Sequence, residues 1–348
     1  MSGPMKMKWA AAAVTLAILA ATYAMFLLYF SLHGKQTPKA ENGLLDLSGW
    51  PFGDEGVVPL DGEWEFYPGK LMTHEDFLTS AQASAQPQER IEVPGVWPAH
   101  VDTLGVATYR LRINIDDDVP VYGLKTSSIQ ISNRIIVNGK VVGASGNPAE
   151  RARYAAKNQP YVGYFTLRAG ENELIVQVAN YEMPAGSGIN ESIFLGQASQ
   201  ISELRDKALA HDWVTFAAFL IMGLYLIGLY SQRRNDYSLF AFGLASVFIA
   251  LFSSTRGERV LLGMLDSVPF WLYLRIQIVS ALLAGMGFLL YVYTAFRPFC
   301  SRRLVRIGVF AGALLTVLSA SFLPEIMTEL NRQLTTVYST FPFLYAIY

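Results

Sequence analysis

Thr108-Tyr109-Arg110-Leu111-Arg112-Ile113-Asn114-Ile115 is the stretch that decides the fold of the first half of the chain. Tyr109, Leu111, Ile113 and Ile115 recur at every second position, and Arg110, Arg112 and Asn114 fill the gaps. A strand sends alternate side chains to opposite faces, so this pattern predicts a strand with one face buried and the other wet. The same period extends outward along the chain. Arg134–Val142 holds two apolar runs around Asn138-Gly139, a pair that accepts the positive φ angles of a tight hairpin turn. After the Gly170-Glu171-Asn172 turn, Leu174, Val176 and Val178 alternate again. Helical periodicity is scarce between residues 41 and 200, so two packed antiparallel sheets are the expected outcome there.

Composition separates this region from the rest. Of the 348 residues 52% are hydrophobic and 16% charged, too apolar for an ordinary soluble protein. Residues 41–200 hold 20 Asp and Glu against 11 Lys and Arg. That acidic balance argues against nucleic acid as a partner, because phosphates demand a basic face. Cys300 is the single cysteine, which excludes an intrachain disulfide and leaves the β-rich region to be held by its core.

The remaining sequence is a series of apolar runs. Trp9–Phe30 is long enough to cross about 30 Å of hydrocarbon as a helix. Residues 1–32 therefore read as an anchor, with a cleaved signal segment ending near Ala20, Ala21 or Ala24 as the rival. Residues 201–212 read as a connecting helix, with Ile201, Leu204 and Ala208 at helical spacing. Residues 213–348 read as a transmembrane helical bundle, with runs at Trp213–Tyr230, Tyr237–Ser253, Trp271–Phe296, Leu304–Leu323 and Leu334–Tyr348. The last run stops within its apolar stretch, so the sequence is expected to be the front part of a longer protein.

Positive charge sets the expected orientation. Arg233 and Arg234 occupy one connector, and Arg297, Arg302, Arg303 and Arg306 border another. Both are expected in the cytoplasm, with Lys6 and Lys8. The opposite connectors are mixed in charge: Arg256, Glu258, Arg259 and Asp266, then Glu325, Glu329 and Arg332. Residues 41–212 are then extracytoplasmic, in a multi-pass protein of the cell membrane whose C-terminal side is cytoplasmic.

No catalytic constellation stands out, and neither a metal nor a cofactor is expected. His33, His74, His100 and His211 are scattered without metal-ligand spacing. Glu63 and Glu65 share one side of a predicted strand, where paired carboxylates serve glycoside hydrolysis, although scaffold is the plainer reading. Asp116-Asp117-Asp118 offers clustered oxygens suited to calcium, against a solvated turn. Aromatic residues are the better pointer, since sugar C–H faces stack on rings. Trp97, Tyr154, Tyr161 and Tyr181 fall in or beside predicted loops, with His100, Arg153 and Asn180 as polar neighbours. These seven form the predicted ligand site, for a carbohydrate or another small polar molecule. Trp64 and Tyr109 are assigned to the core.

The order of the motifs carries a resemblance. Leu60-Asp61-Gly62-Glu63-Trp64-Glu65-Phe66-Tyr67 is followed by Val93-Pro94-Gly95-Val96-Trp97, then Ala107-Thr108-Tyr109-Arg110-Leu111, Val137-Asn138-Gly139 and Val178-Ala179-Asn180-Tyr181. That order resembles the galactose-binding-like jelly roll found at the front of many glycoside hydrolases and bacterial sensors. With the apolar runs behind it, the chain resembles the bacterial seven-transmembrane receptors with diverse intracellular signalling modules. The resemblance implies a multi-domain membrane protein: an extracytoplasmic all-β jelly-roll sandwich followed by an all-α transmembrane helical bundle. It implies a signal-transduction receptor whose cytoplasmic output, a histidine kinase first and a diguanylate cyclase second, lies outside this sequence. A homodimer suits such a receptor, although no heptad run demands one. The alternative is a membrane-tethered carbohydrate-binding or carbohydrate-processing protein.

Overall fold

The computed structural model describes residues 37–78, 89–116, 121–265, 268–321 and 329–347, preceded by helical positions 17, 20–25 and 28. Most of the expected anchor lies outside the described residues, as do Asp117, Asp118, Asp266 and Glu325. Strands occupy the first part: β1 (Leu44–Asp46), β2 (Val58–Pro59), β3 (Gly62–Pro68), β4 (Glu89–Val93), β5 (Gly95–Val96), β6 (Gly105–Ile115) and β7 (Tyr122–Lys125). They continue as β8 (Ile129–Gln130), β9 (Ser132–Val137), β10 (Lys140–Ser145), β11 (Val162–Phe165), β12 (Gly170–Asn180), β13 (Gly188–Ile189) and β14 (Phe194–Gln197).

The largest sheet runs β10-β9-β12-β6-β3-β4, antiparallel throughout, with β1 added parallel to β6. A second sheet runs β11-β7-β14-β2, and a third, small one runs β5-β13-β8. Tyr109, Leu111, Ile113 and Ile115 of β6 are buried, as the alternation requires, and Arg110 and Arg112 lie on the other face. Opposite them, Leu174 pairs with Leu111 and Val176 with Tyr109. The β9–β10 turn is made by Asn138 at φ 46° and Gly139 at φ 78°, which matches the right-handed twist of the flanking strands.

One core draws side chains from both larger sheets: Trp64, Phe66, Tyr109 and Val176 from one, Tyr122, Leu124 and Leu195 from the other. Each such aliphatic or Phe side chain stabilises the fold by about 1.5–3 kcal/mol on burial. The rings of Phe66 and Tyr109 meet edge to face at 5.0 Å, and the Trp64 indole N–H donates to the Leu60 carbonyl at 3.0 Å. β12 is buried on both faces because its outer face is also covered. The short helix His74–Leu78 and Met72 lie over it, so Ile175 and Ile136 form a second cluster with Tyr67, Met72 and Phe77.

Residues 186–196, with glycines at 186, 188 and 196, contribute β13 and part of β14. Gly188 sits at φ 139°, and a Cβ there would lie 2.4 Å from the Gly95 carbonyl oxygen. Glycine lets the two backbones close on each other, so the stretch is buried rather than loose.

Among the described residues five long helices follow: α1 (Ala198–Gln232), α2 (Tyr237–Ser253), α3 (Phe270–Ala295), α4 (Arg302–Ser321) and α5 (Glu329–Ile347). Three of them, α1, α3 and α4, are long and apolar enough to cross a membrane; α2, with 17 residues, is shorter. α1 is a single helix of 35 residues, about 50 Å long. A capping box joins Gln197 and Gln200 at its start, and Ile201 is fully buried against Gly123 of β7. Connecting segment and first apolar run are thus one rod. Further along, Gly223 of α1 meets Gly243 and Val247 of α2, and Gly287 of α3 meets Ala245 of α2, so small residues set the close helix contacts.

Candidate functional site

The residues that organise the surface of the β region sit on the loop between β10 and β11, residues 146–161. Its shape is fixed by bonds to the adjoining strands. Asn147 and Ala155 exchange backbone bonds, the Asn147 side-chain amide donates to the Arg153 carbonyl at 2.6 Å, and Ser132 Oγ donates to the Ala155 carbonyl at 2.6 Å. Ser145 Oγ donates to the Lys157 carbonyl and accepts from the Gln159 N–H at 2.8 Å.

The seven predicted site residues do not converge on one cleft. Tyr154 and Tyr181 do meet, edge to face with ring centroids 5.1 Å apart, and the Arg151 guanidinium lies 5.9 Å from the Tyr181 ring. Burial pushes the Tyr154 hydroxyl up to about 12. Arg153 lines a cavity of about 330 Å³ together with Arg134, Asn147, Glu150 and Gln177. Tyr161 lines a different one, of about 460 Å³, with Lys157 and Arg205, while its hydroxyl donates to Asn133 Oδ1 at 2.8 Å. His100 is exposed and pairs with Glu89 at 3.1 Å.

Two of the seven are corrected. Trp97 is only 4% exposed and packs at 6.1 Å from Phe66, inside the core. Asn180 is fully buried, and its amide nitrogen donates to the Thr103 and Met183 carbonyls and to Ser187 Oγ at 2.6 Å. Its oxygen accepts from the Glu182 and Met183 N–H groups, so its polar atoms are spent on holding the turn after β12. Adjacency to a loop in sequence did not say which way either side chain points.

The Glu63 and Glu65 pair is likewise divided. Glu63 is exposed, whereas Glu65 is buried and accepts from Arg110 at 3.2 Å and from the Tyr67 hydroxyl at 3.0 Å. Arg110 also donates to Glu173 at 2.6 Å, and His74 bonds the same carboxylate. These carboxylates are neutralised in a network on the outer face of the large sheet, an arrangement that fixes scaffold rather than poising an acid and a base.

Sequence reading missed a second group, where the β region meets the helices. The Lys125 ammonium lies 2.6 Å from Glu258, with side chains 7% and 10% exposed. The Arg259 guanidinium, buried, donates to Asn158 Oδ1 at 2.5 Å. Asp212, near the middle of α1, accepts the Glu258 backbone N–H at 2.7 Å. The connector between α2 and α3 turns sharply at Arg259, which has φ 56°, and the Tyr273 hydroxyl of α3 donates to the Thr255 carbonyl at 2.5 Å. The sequence signals are Lys125, a charge closing the apolar run Tyr122-Gly123-Leu124, and Glu258 and Arg259 in the mixed-charge connector.

No family model matches the sequence, and no curated protein matches it. Solved structures that it resembles include a GH2 β-galacturonidase from Eisenbergiella tayi bound to galacturonate, at 18% identity, covering 40% of this chain and 24% of that one, with a TM-score of 0.29. A putative β-galactosidase from Bacteroides fragilis is 20% identical over 40% of this chain and 22% of its own, and a β-glucuronidase from Ruminococcus gnavus is 16% identical over 40% and 28%, both with a TM-score of 0.29. The chain thus spans about a quarter of the length of these enzymes, and a likeness at that level carries no argument about ligand or activity.

Proposed function

We propose that this chain is the sensing and membrane portion of a bacterial signal-transduction receptor. In this reading the β region is an extracytoplasmic jelly roll that binds a carbohydrate or another small polar ligand. The helices relay binding to a cytoplasmic output domain, and the resemblance to seven-transmembrane receptors names a histidine kinase first and a diguanylate cyclase second. One observation supports the reading above the others. The loop 146–161 carries Arg153 and Tyr154 in its first half and Asn158, bonded to Arg259 of the helical connector, in its second. A ligand that alters the first half shifts the second, and a shift in two packing arrangements of the helices is what relay requires. Tyr154 and Tyr181 supply the ring faces for a sugar.

The orientation is tested by cysteine labelling in a Cys300→Ser background, using a membrane-impermeant maleimide on intact cells. Val141→Cys, on the exposed face of β10, should label at once. Ser231→Cys, beside Arg233 and Arg234, should label only after permeabilisation. The reverse pattern would overturn the receptor reading, since the β region would then face the cytoplasm.

A further inference from the structure

The cavity lined by Arg153 contains a second cation that sequence reading did not single out. Arg134 of β9 sits opposite Gln177 of β12 on the outer face of the large sheet, the same row that holds Thr108 and Tyr67. Its guanidinium donates to Asn147 Oδ1 at 3.1 Å and to Gln177 Oε1 at 3.5 Å. Both acceptors are themselves fixed: Gln177 is buried and donates to the Met72 carbonyl at 2.9 Å, and Asn147 donates to the Arg153 carbonyl. Arg134 is therefore held in place by neutral partners alone.

A guanidinium has five N–H donors, and these two bonds leave several free. Among the described residues no carboxylate forms an ion pair with Arg134 or with Arg153, although Arg110 and Arg112 on the same sheet face are both paired. The contrast is informative in a region whose net charge is acidic. Two arginines that form no ion pair share a cavity of about 330 Å³, near the lower size of small-molecule sites. Leu71 and Pro148 give it apolar walls, and the amides of Asn147 and Gln177 give it polar ones.

We infer that this cavity binds a carboxylate-bearing ligand of monosaccharide size, its carboxylate on the fork of Arg134 and Arg153. The inference rests on the ligand-binding reading above and names the ligand's class. A guanidinium matches a carboxylate with two parallel bonds, and the apolar walls suit the C–H face of a ring. Glu150 also lines the cavity. Its charge is tolerable beside a singly charged carboxylate but opposes a doubly charged phosphate more strongly, which favours the carboxylate.

Glucuronate and glucose form the matched probe pair, since they differ only in the oxidation of C6. Titration calorimetry on the whole chain in nanodiscs, at constant ionic strength, should show glucuronate binding at least about tenfold tighter than glucose or inorganic phosphate. Arg153→Gln, at an exposed position where folding is not at stake, should weaken glucuronate by about tenfold. Arg134→Gln should do the same, and Glu150→Gln should tighten it a few-fold. Equal binding of glucose and glucuronate, unchanged in the Arg153 variant, would overturn the acidic class while leaving a sugar-binding β region in place. Tighter binding of phosphate would overturn the choice of carboxylate. Failure of both sugars to bind at millimolar concentration would overturn the site itself, whereas the orientation of the receptor is judged separately by the labelling pattern.

Discussion

In the β region Leu111, Ile113 and Leu174 are almost fully buried, whereas on α1 and α4 Ile221, Leu224, Phe310 and Val317 are each more than half exposed. The two regions use the same kinds of apolar side chain in opposite senses. A sheet domain in water must hide them, and charges on its outer face form pairs, as Glu65, Arg110 and Glu173 do. A helix that shows such residues on its outer face is matched to a solvent as apolar as they are. The helices hide instead their small residues, Gly223, Gly243 and Gly287, at the contacts. Where the regions meet, neither rule applies: buried Lys125 is paired with Glu258, and buried Arg259 bonds the neutral Asn158.

That seam is where the comparison breaks with the largest effect. Glu258→Leu leaves the Lys125 ammonium buried without a partner and is expected to cost about 3–5 kcal/mol. Lys125→Met combined with Glu258→Leu removes both charges and should recover most of the loss. Thermal unfolding in detergent, read beside hydrogen exchange at Tyr122–Lys125, checks both variants. A single variant as mild as the double would mean that water reaches the pair and that the two regions are not sealed there.

The seam also marks what the sequence could not disclose. The alternation in β6 and the Asn138-Gly139 turn are local, so each could be read from a few neighbouring residues. The outer face of β12 was not legible, because Ile175 is buried by Met72 and Phe77 from a segment about a hundred residues earlier in the chain. Trp97 and Asn180 lie near loops in sequence, but tertiary packing turns both inward. Arg134 is not distinctive in sequence, because a single arginine in an alternating strand looks like any wet-face residue. The Arg259 contact joins residues 101 apart, and no spacing rule connects them.

Two substitutions of one kind sharpen the comparison itself. On the membrane reading proposed above, Ile221→Lys on the exposed face of α1 places a charge against hydrocarbon, at an expected cost of about 2.5–3.5 kcal/mol to membrane insertion. Val141→Lys, at a comparably exposed site on β10, should change stability by less than about 0.5 kcal/mol. A glycosylation-reporter insertion assay measures the first and chemical denaturation the second. Equal tolerance at both sites would show that α1 is bathed in water there. Between these in size, Gly188→Ala forces a Cβ onto the Gly95 carbonyl at a positive φ and should cost about 1–3 kcal/mol by thermal unfolding. An unchanged Tm would show that β13 does not pack as tightly as its geometry requires.

The smallest effect at neutral pH concerns Tyr154. Burial raises its hydroxyl to about 12, above the ordinary tyrosine value of 10, so the folded chain holds this proton more tightly than the unfolded one. Its contribution to stability is then complete below pH 10 and is lost as the pH rises from 10 towards 12. Tyr154→Phe has no proton to lose, and should flatten that alkaline decline while leaving the profile near pH 7 almost unchanged. Denaturant midpoints between pH 8 and 11.5 give the comparison. If the variant declines as steeply as the parent, the Tyr154 hydroxyl is reached by water rather than buried.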